Sequence, residues 1–184
     1  MLSLERDGGG RAPFRLACTL SNRRGGTDLL LSSFADKLIA RGVRVCGAVQ
    51  ENVERADRTR CDMVVTALPS GRSFLISQDR GPHARGCRLD ADGLEAAVVD
   101  VAAGLRGGAD ILIINKFGKH EAEGRGFCQV IGDALAAHVP VLVGVNALNR
   151  DAFFRFADGL AQTLEPNETA LAAWAETVLA LDAA

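Results

Sequence analysis

Residues 14–49 read FRLACTLSNRRGGTDLLLSSFADKLIARGVRVCGAV, and this stretch decides the fold class. Phe14 to Leu20 is an apolar run too short for a helix, so it reads as a buried strand. Ser21 to Thr27 is a polar loop containing glycine. Leu30, Leu31, Phe34, Ala35 and Leu38 then recur at helical spacing, with Thr27 or Asp28 as the expected N-cap and Gly42 as the stop. Val43 to Val49 is a second apolar run rich in β-branched residues. The order strand, loop, helix, strand predicts a βαβ unit with a right-handed crossover.

Working outward, Glu51 to Asp62 is charged and lacks apolar period. Met63–Ala67 and Ser73–Ser77 flank Pro69-Ser70-Gly71, a turn sequence, and predict an inserted antiparallel hairpin. Asp79 to Asp92 reads as a polar loop. Asp92 and Glu95 suit a capping box for a helix carrying Leu94, Ala97, Val98, Val101 and Leu105, which Gly107 and Gly108 end. Ile111 to Ile114 is a continuous aliphatic run, as in a parallel strand buried on both faces. A polar glycine-rich loop is expected over Asn115–Gly126, a helix from Phe127 to Leu135, and a strand over Val139–Val145. Asp151–Leu160 and Glu168–Leu181 read as helices, with Phe154 and Trp174 packing on the sheet. The alternation predicts a three-layer α/β domain over residues 13–184, with a mostly parallel sheet. Residues 1–12 lack the basic-then-apolar order of a signal peptide and are expected to form a frayed tail.

Composition narrows the function. With 184 residues, 48% apolar and 24% charged, the chain has ordinary globular usage and room for one core. Its 21 basic and 23 acidic side chains give a net charge of -2, so no whole-surface attraction to nucleic acid or anionic membrane is expected. Any anion site must be local. The five cysteines contain no C-x-x-C pair, which reads as free thiols in a reducing cytoplasm with no metal site. No apolar run is long enough to span a bilayer.

In sheets of this kind ligands bind beyond the carboxyl ends of the strands. The first loop there is Ser21-Asn22-Arg23-Arg24-Gly25-Gly26-Thr27-Asp28. Its glycines let backbone N–H groups approach an anion at a helix start. In the phosphate-loop pattern G-x-x-x-x-G-K-[ST], Gly26 matches the last glycine, while Thr27 and Asp28 stand in place of the lysine and the hydroxyl residue. Arg23 and Arg24 can supply the missing charge. The plain alternative is a solvated turn. The second loop, Asn115-Lys116-Phe117-Gly118-Lys119-His120-Glu121-Ala122-Glu123-Gly124-Arg125-Gly126, follows the central strand. A hydrolase would place a magnesium-binding carboxylate at its start; Asn115 and Lys116 stand there instead. Lys116, Lys119 and Arg125 can attract an anion, while Glu121 and Glu123 can hold those cations or act as acid and base. A charged surface loop is the competing reading. Gln50, at the expected end of the second strand, is placed in the same cleft. Arg88 and Asp90 are expected to pair and shape their loop. Cys87 with His83 more often arises by chance than as a nucleophile pair or metal site.

Gly47-Ala48-Val49-Gln50, Gly86-Cys87-Arg88-Leu89-Asp90 and above all the string Asn115 to Gly126 resemble a bacterial family known as domain of unknown function 2478. The resemblance covers nearly the whole chain after Arg11. That family is in turn similar to THEP-type nucleoside-triphosphatases, which carry D-E-I-G-K-M-E at the matching strand end. Gly118, Lys119 and Glu121 match the glycine, lysine and second glutamate of that string. Asn115 and Lys116 replace its acidic pair. The resemblance implies a P-loop-like fold, nucleotide or molybdate as ligand, and a link to molybdate uptake.

Three readings follow. The first is a non-hydrolysing module that holds a small anion, a nucleotide phosphate or an oxyanion such as molybdate, between the two loops. The candidate ligand residues are Asn22, Arg23, Arg24, Gly25, Gly26, Thr27, Gln50, Asn115, Lys116, Lys119 and Arg125. The second is a magnesium-dependent nucleotide hydrolase or phosphotransferase, with Glu121 and Glu123 as catalytic candidates. The third is a scaffold that binds a protein partner, or itself as a homodimer, with Phe153, Phe154 and Phe156 at the interface.

Overall fold

The computed structural model describes residues 14–21, 25–54, 56, 61–78 and 88–180. The first strand, β1 (Leu16–Thr19), leads to helix α1 (Gly26–Ala40) and strand β2 (Val45–Val53). A hairpin of β3 (Asp62–Leu68) and β4 (Ser73–Leu75) follows, then helix α2 (Ala91–Arg106) and strand β5 (Ile111–Phe117). The single turn α3 (Lys119–Ala122), helix α4 (Cys128–Ala136) and strand β6 (Val141–Val145) come next. A 3-10 turn, Ala147–Asn149, runs into α5 (Arg150–Ala157), β7 (Ala161–Leu164) and α6 (Glu168–Ala180).

The seven strands form one sheet in the order β4-β3-β2-β5-β6-β1-β7. Strands β2, β5, β6, β1 and β7 are parallel, and the β3–β4 hairpin adds antiparallel strands at one edge. The expected three layers are present. Leu112, Ile114 and Val143 share one core with α2, α4 and α5. Ile111, Ile113 and Leu142 share the other with α1 and α6. This alternation along one strand is why β5 reads as an unbroken aliphatic run: both of its faces are covered.

Several local expectations change. β1 and β2 are not neighbours, because β5 and β6 stand between them; the crossover is therefore wide and carries α1 over the middle of the sheet. The N-cap of α1 is Gly25, while Thr27 and Asp28 lie inside the first turn. The cap of α2 is Asp90, whose side chain accepts from the N–H groups of Asp92 and Gly93. Arg88, expected to pair with Asp90, donates instead to the Cys61 carbonyl at 2.9 Å. β2 runs on to Val53 and β5 to Phe117, through residues whose polarity reads as loop. Pairing with β3 and β6 outweighs their weak strand propensity. β7 is a further strand that the sequence pattern leaves unseen, being four residues with two polar members at the sheet edge.

The aromatic residues of α5 are mostly interior. Phe153 is fully buried, with its ring edge-on to Phe117 at 5.3 Å. Phe154 is partly buried under Arg150, and Phe156 is 37% exposed. Trp174 is buried on the other face and donates its indole N–H to the Phe14 carbonyl at 3.0 Å. Phe153→Ala should therefore lower unfolding free energy by about 3–5 kcal/mol, and Phe156→Ala by clearly less. Chemical denaturation of both variants measures the difference.

Candidate functional site

The wide crossover sets the start of α1 over the carboxyl ends of β5 and β6. Gly25, the N-cap, has φ 72°, a left-handed conformation that glycine adopts without steric cost. Gly25 has no side chain with which to cap the helix, so among the described residues the first-turn N–H groups are left for water or a ligand. Thr27 closes the preceding loop by accepting the Ser21 N–H on its hydroxyl at 3.0 Å.

One residue on, Asp28 is buried, at 6% exposure. An unpaired carboxylate there would cost several kcal/mol. Three groups answer it. Asn115 Nδ2 donates to Oδ1 at 3.0 Å, Asn52 Nδ2 donates to Oδ2 at 3.0 Å, and Lys116 Nζ lies 3.7 Å from Oδ1. Consecutive strand residues ordinarily point to opposite faces. Here the register of β5 against β6 shifts between Asn115 and Phe117, so Asn115 and Lys116 both reach the same carboxylate, while Phe117 joins the core under α5.

Gly144 on β6 makes this approach possible. A Cβ there would lie 2.8 Å from Leu31 Cδ1, 2.9 Å from Asn115 Oδ1 and 2.9 Å from Thr27 Cγ2. Its register partner is Thr19, at the end of β1. The Thr19 hydroxyl and Asn115 Oδ1 are buried without a hydrogen-bond partner. The rim of the sheet thus holds polar atoms with capacity to spare.

The segment after β5 is organised by Glu121. Its Oε2 accepts the Gly118 N–H at 2.9 Å and its Oε1 accepts the Phe127 N–H at 3.2 Å. Cys128 Sγ donates to its backbone carbonyl at 3.2 Å. Burial pushes the Glu121 carboxyl above its ordinary pKa, against the pull of these backbone N–H groups. This carboxylate buckles the turn, with both oxygens engaged. Lys119, Glu123 and Arg125 form an exposed ion cluster on α3 and the turn after it.

The structure thus brings together Gly25, Gly26, Thr27, Asn115 and Lys116. It groups Lys119, Glu123 and Arg125 separately, one turn along the chain. Gln50 lies opposite Val65 in the β2–β3 register, on the α2 side of the sheet, where its amide nitrogen is buried without a partner. Asn22, Arg23 and Arg24 lie outside the described residues, as do His83 and Cys87. Gly144 and Thr19 belong to the site but escape the sequence reading, which names Asp28 only as a possible cap or as the stand-in for a phosphate-loop hydroxyl residue, and places Asn52 only in the stretch after the second expected strand. A glycine inside the aliphatic strand VLVGV is a legible signal of close approach; nothing local to Asn52 marks Asp28 as its partner.

Thiol chemistry is not favoured at the described cysteines near the sheet. Burial pushes Cys46 up to about 11 and, helped by the Glu121 charge, Cys128 up to about 11. A cleft of about 480 Å³ opens at the opposite, amino-terminal edge, beside Arg41, Arg44, Asp110 and His138. Its arginines are already committed, Arg44 to Asp110 and Arg41 to Glu176. It also lies away from the strand ends where such sheets hold ligands.

The chain belongs to the family described as Protein of unknown function (DUF2478), which matches residues 16–174. It is 36% identical over 162 residues to the Molybdenum import ATP-binding protein ModC 2 of Bradyrhizobium diazoefficiens. That match takes in 88% of this chain but 18% of the relative, so the chain spans less than a fifth of that protein's length. Among solved structures it is similar to THEP1 from the hyperthermophile Aquifex aeolicus, with a TM-score of 0.62, 16% identity, and 90% of this chain and 97% of that chain covered. The fold is therefore P-loop NTPase-like.

Two outcomes follow from this geometry. Gly144→Ala should lower unfolding free energy by about 1–3 kcal/mol through overpacking under α1, measured by denaturant titration. For Glu121, the folded state holds its proton to higher pH than the unfolded chain, whose value is 4.5. Its contribution is full below pH 4.5 and is lost as pH rises through the higher folded value. Glu121→Gln should flatten that decline. It should also lower stability by about 1–3 kcal/mol, because one backbone N–H then meets an amide; thermal melts across pH read both effects.

Proposed function

We propose, starting from this family membership, that the protein is a non-hydrolysing anion-binding module. Its ligand would be a nucleotide phosphate or a tetrahedral oxyanion such as molybdate, held at the rim between the start of α1 and the end of β5. One observation carries the reading: the first turn of α1, capped by a glycine and by no side chain among the described residues, stands beside the partly exposed ammonium of Lys116. Helix-start N–H groups and a neighbouring cation are the donors an oxyanion needs. Molybdate and phosphate present similar tetrahedral oxygens, so the same donors serve either. The name of the Bradyrhizobium relative joins molybdenum import to ATP binding, which supports both ligand classes and a role in molybdenum handling.

The lack of hydrolysis follows from the residues at the two chemical positions. Thr27 stands where phosphate loops carry the lysine that reaches the terminal phosphates. Asn115 stands where hydrolases carry a strand-end carboxylate. Glu121 spends both oxygens on backbone N–H groups, and Glu123 is occupied by Lys119 and Arg125. We place the module in the cytoplasm, where ATP is available, as a homodimer, the commonest symmetric oligomer. Among the described residues no helix is long and apolar enough to cross a membrane.

Calorimetry with phosphate, molybdate, tungstate, ATP and GTP tests the proposal. Saturable heat is expected with at least one of them, and phosphate release from ATP or GTP should not exceed the buffer rate. Absence of heat with all five would remove the anion-binding reading. Turnover above buffer would replace it with a hydrolase.

A further inference from the structure

Nucleotide-hydrolysing proteins of P-loop-like fold hold Mg²⁺ between a helix-start hydroxyl and a strand-end carboxylate, and the metal bridges the phosphates. The fold therefore implies magnesium here, and the donor set can be tested against it. Mg²⁺ demands near-octahedral oxygen ligands and sheds its waters reluctantly.

The residues present do not fit that ion. At the helix position stands Asp28, a carboxylate, but both of its oxygens already accept amide N–H groups, from Asn115 and Asn52. An ammonium lies 3.7 Å from one of them, where it would repel a dication. At the strand position, the Asn115 amide nitrogen is turned toward Asp28. Its oxygen, buried beside Gly144 without a hydrogen-bond partner, is a single neutral amide acceptor where a magnesium site has a carboxylate. The carboxylate has in effect moved from strand to helix, and a cationic side chain has moved in beside it.

We propose that this site binds its ligand without a divalent cation, with Lys116 supplying the charge that magnesium supplies elsewhere, and that it therefore takes free oxyanions in preference to magnesium–nucleotide complexes. The proposal rests on the anion-binding reading above. An ammonium has three N–H donors. The 3.7 Å separation from Asp28 is an ion pair beyond hydrogen-bond length, so those donors are available to oxyanion oxygens. The Lys116 side chain is about one-third exposed, at 32%, so a ligand arriving at the rim can reach it. Asp28 is a positioning residue: it holds the ammonium at the helix start, where ammonium and first-turn N–H groups can act on one anion. A magnesium–phosphate complex arrives with its negative charge largely neutralised, and it brings a dication toward the ammonium. Both effects weaken its binding relative to the free anion.

The test uses calorimetry of the full chain with inorganic phosphate, molybdate and ATP, each in EDTA and again in millimolar magnesium. Phosphate and molybdate affinities are expected to agree within about twofold between the two conditions, and ATP is expected to bind more weakly with magnesium. Lys116→Gln should weaken the free anions by about tenfold or more, and Lys116→Arg should restore most of that loss. As a second measurement, Mn²⁺ titrated into the wild-type protein should show no tight site by electron paramagnetic resonance. Anion binding that needs magnesium, or is tightened about tenfold by it, overturns this inference and leaves the anion-binding module standing. So does a Mn²⁺ site that Asp28→Asn abolishes. Absence of binding in both conditions removes the module and this inference together.

Discussion

A carboxylate placed in the first turn of a helix and covered by protein must be met by donors from elsewhere in the chain, and Asp28 is that carboxylate. Its partners come from β2, from the end of β5 and from the irregular step that adds Lys116 to the same side. They thus come from two strands, β2 and β5, neither of which adjoins β1, the strand that leads into α1. The cost of leaving the charge unpaired exceeds what any one amide returns, so the three donors act together to fix α1 against the sheet. Gly144 supplies the room for Asn115 and the shift in β5 supplies the reach of Lys116, while Asn52 comes from β2.

The same network defines what the rim can do. A P-loop-like fold brings a helix start and a strand end together at the carboxyl edge of a parallel sheet. In this chain those two points are joined by an internal ion pair and an amide bridge. The geometry of the fold is kept while the chemistry at its two key positions is exchanged. Beyond the rim, Glu121 folds the following turn by satisfying two backbone N–H groups, and the charged side chains of that turn neutralise one another at the surface. Glu121 thus acts on the backbone of its own segment.

Much of the fold was legible. The aliphatic runs at Ile111–Ile114 and Val141–Val145 are strands because burial on both faces removes any need for alternation, and the helical spacing of Leu31, Phe34, Ala35 and Leu38 buries one stripe of α1. The hairpin around Pro69-Ser70-Gly71 followed from turn chemistry. The edge strand β7 did not, because four half-polar residues carry no period long enough to read. Nor did the end of β2, which pairing with β3 carries three residues past Gln50.

What the sequence determined alone was therefore the class of fold, the order of its elements and the two segments whose residue types depart from a phosphate-loop hydrolase. These are local properties, set by hydrophobic period, turn residues and side-chain chemistry within a few positions. Only the tertiary structure decided which groups meet. The strand order separates β1 from β2 and slides α1 over β5 and β6, and that brings Asp28 to Asn52, Asn115 and Lys116, between 24 and 88 residues away in the chain. A charge has no preferred partner until packing removes water from around it; once it is buried, the nearest donors are those that topology supplies.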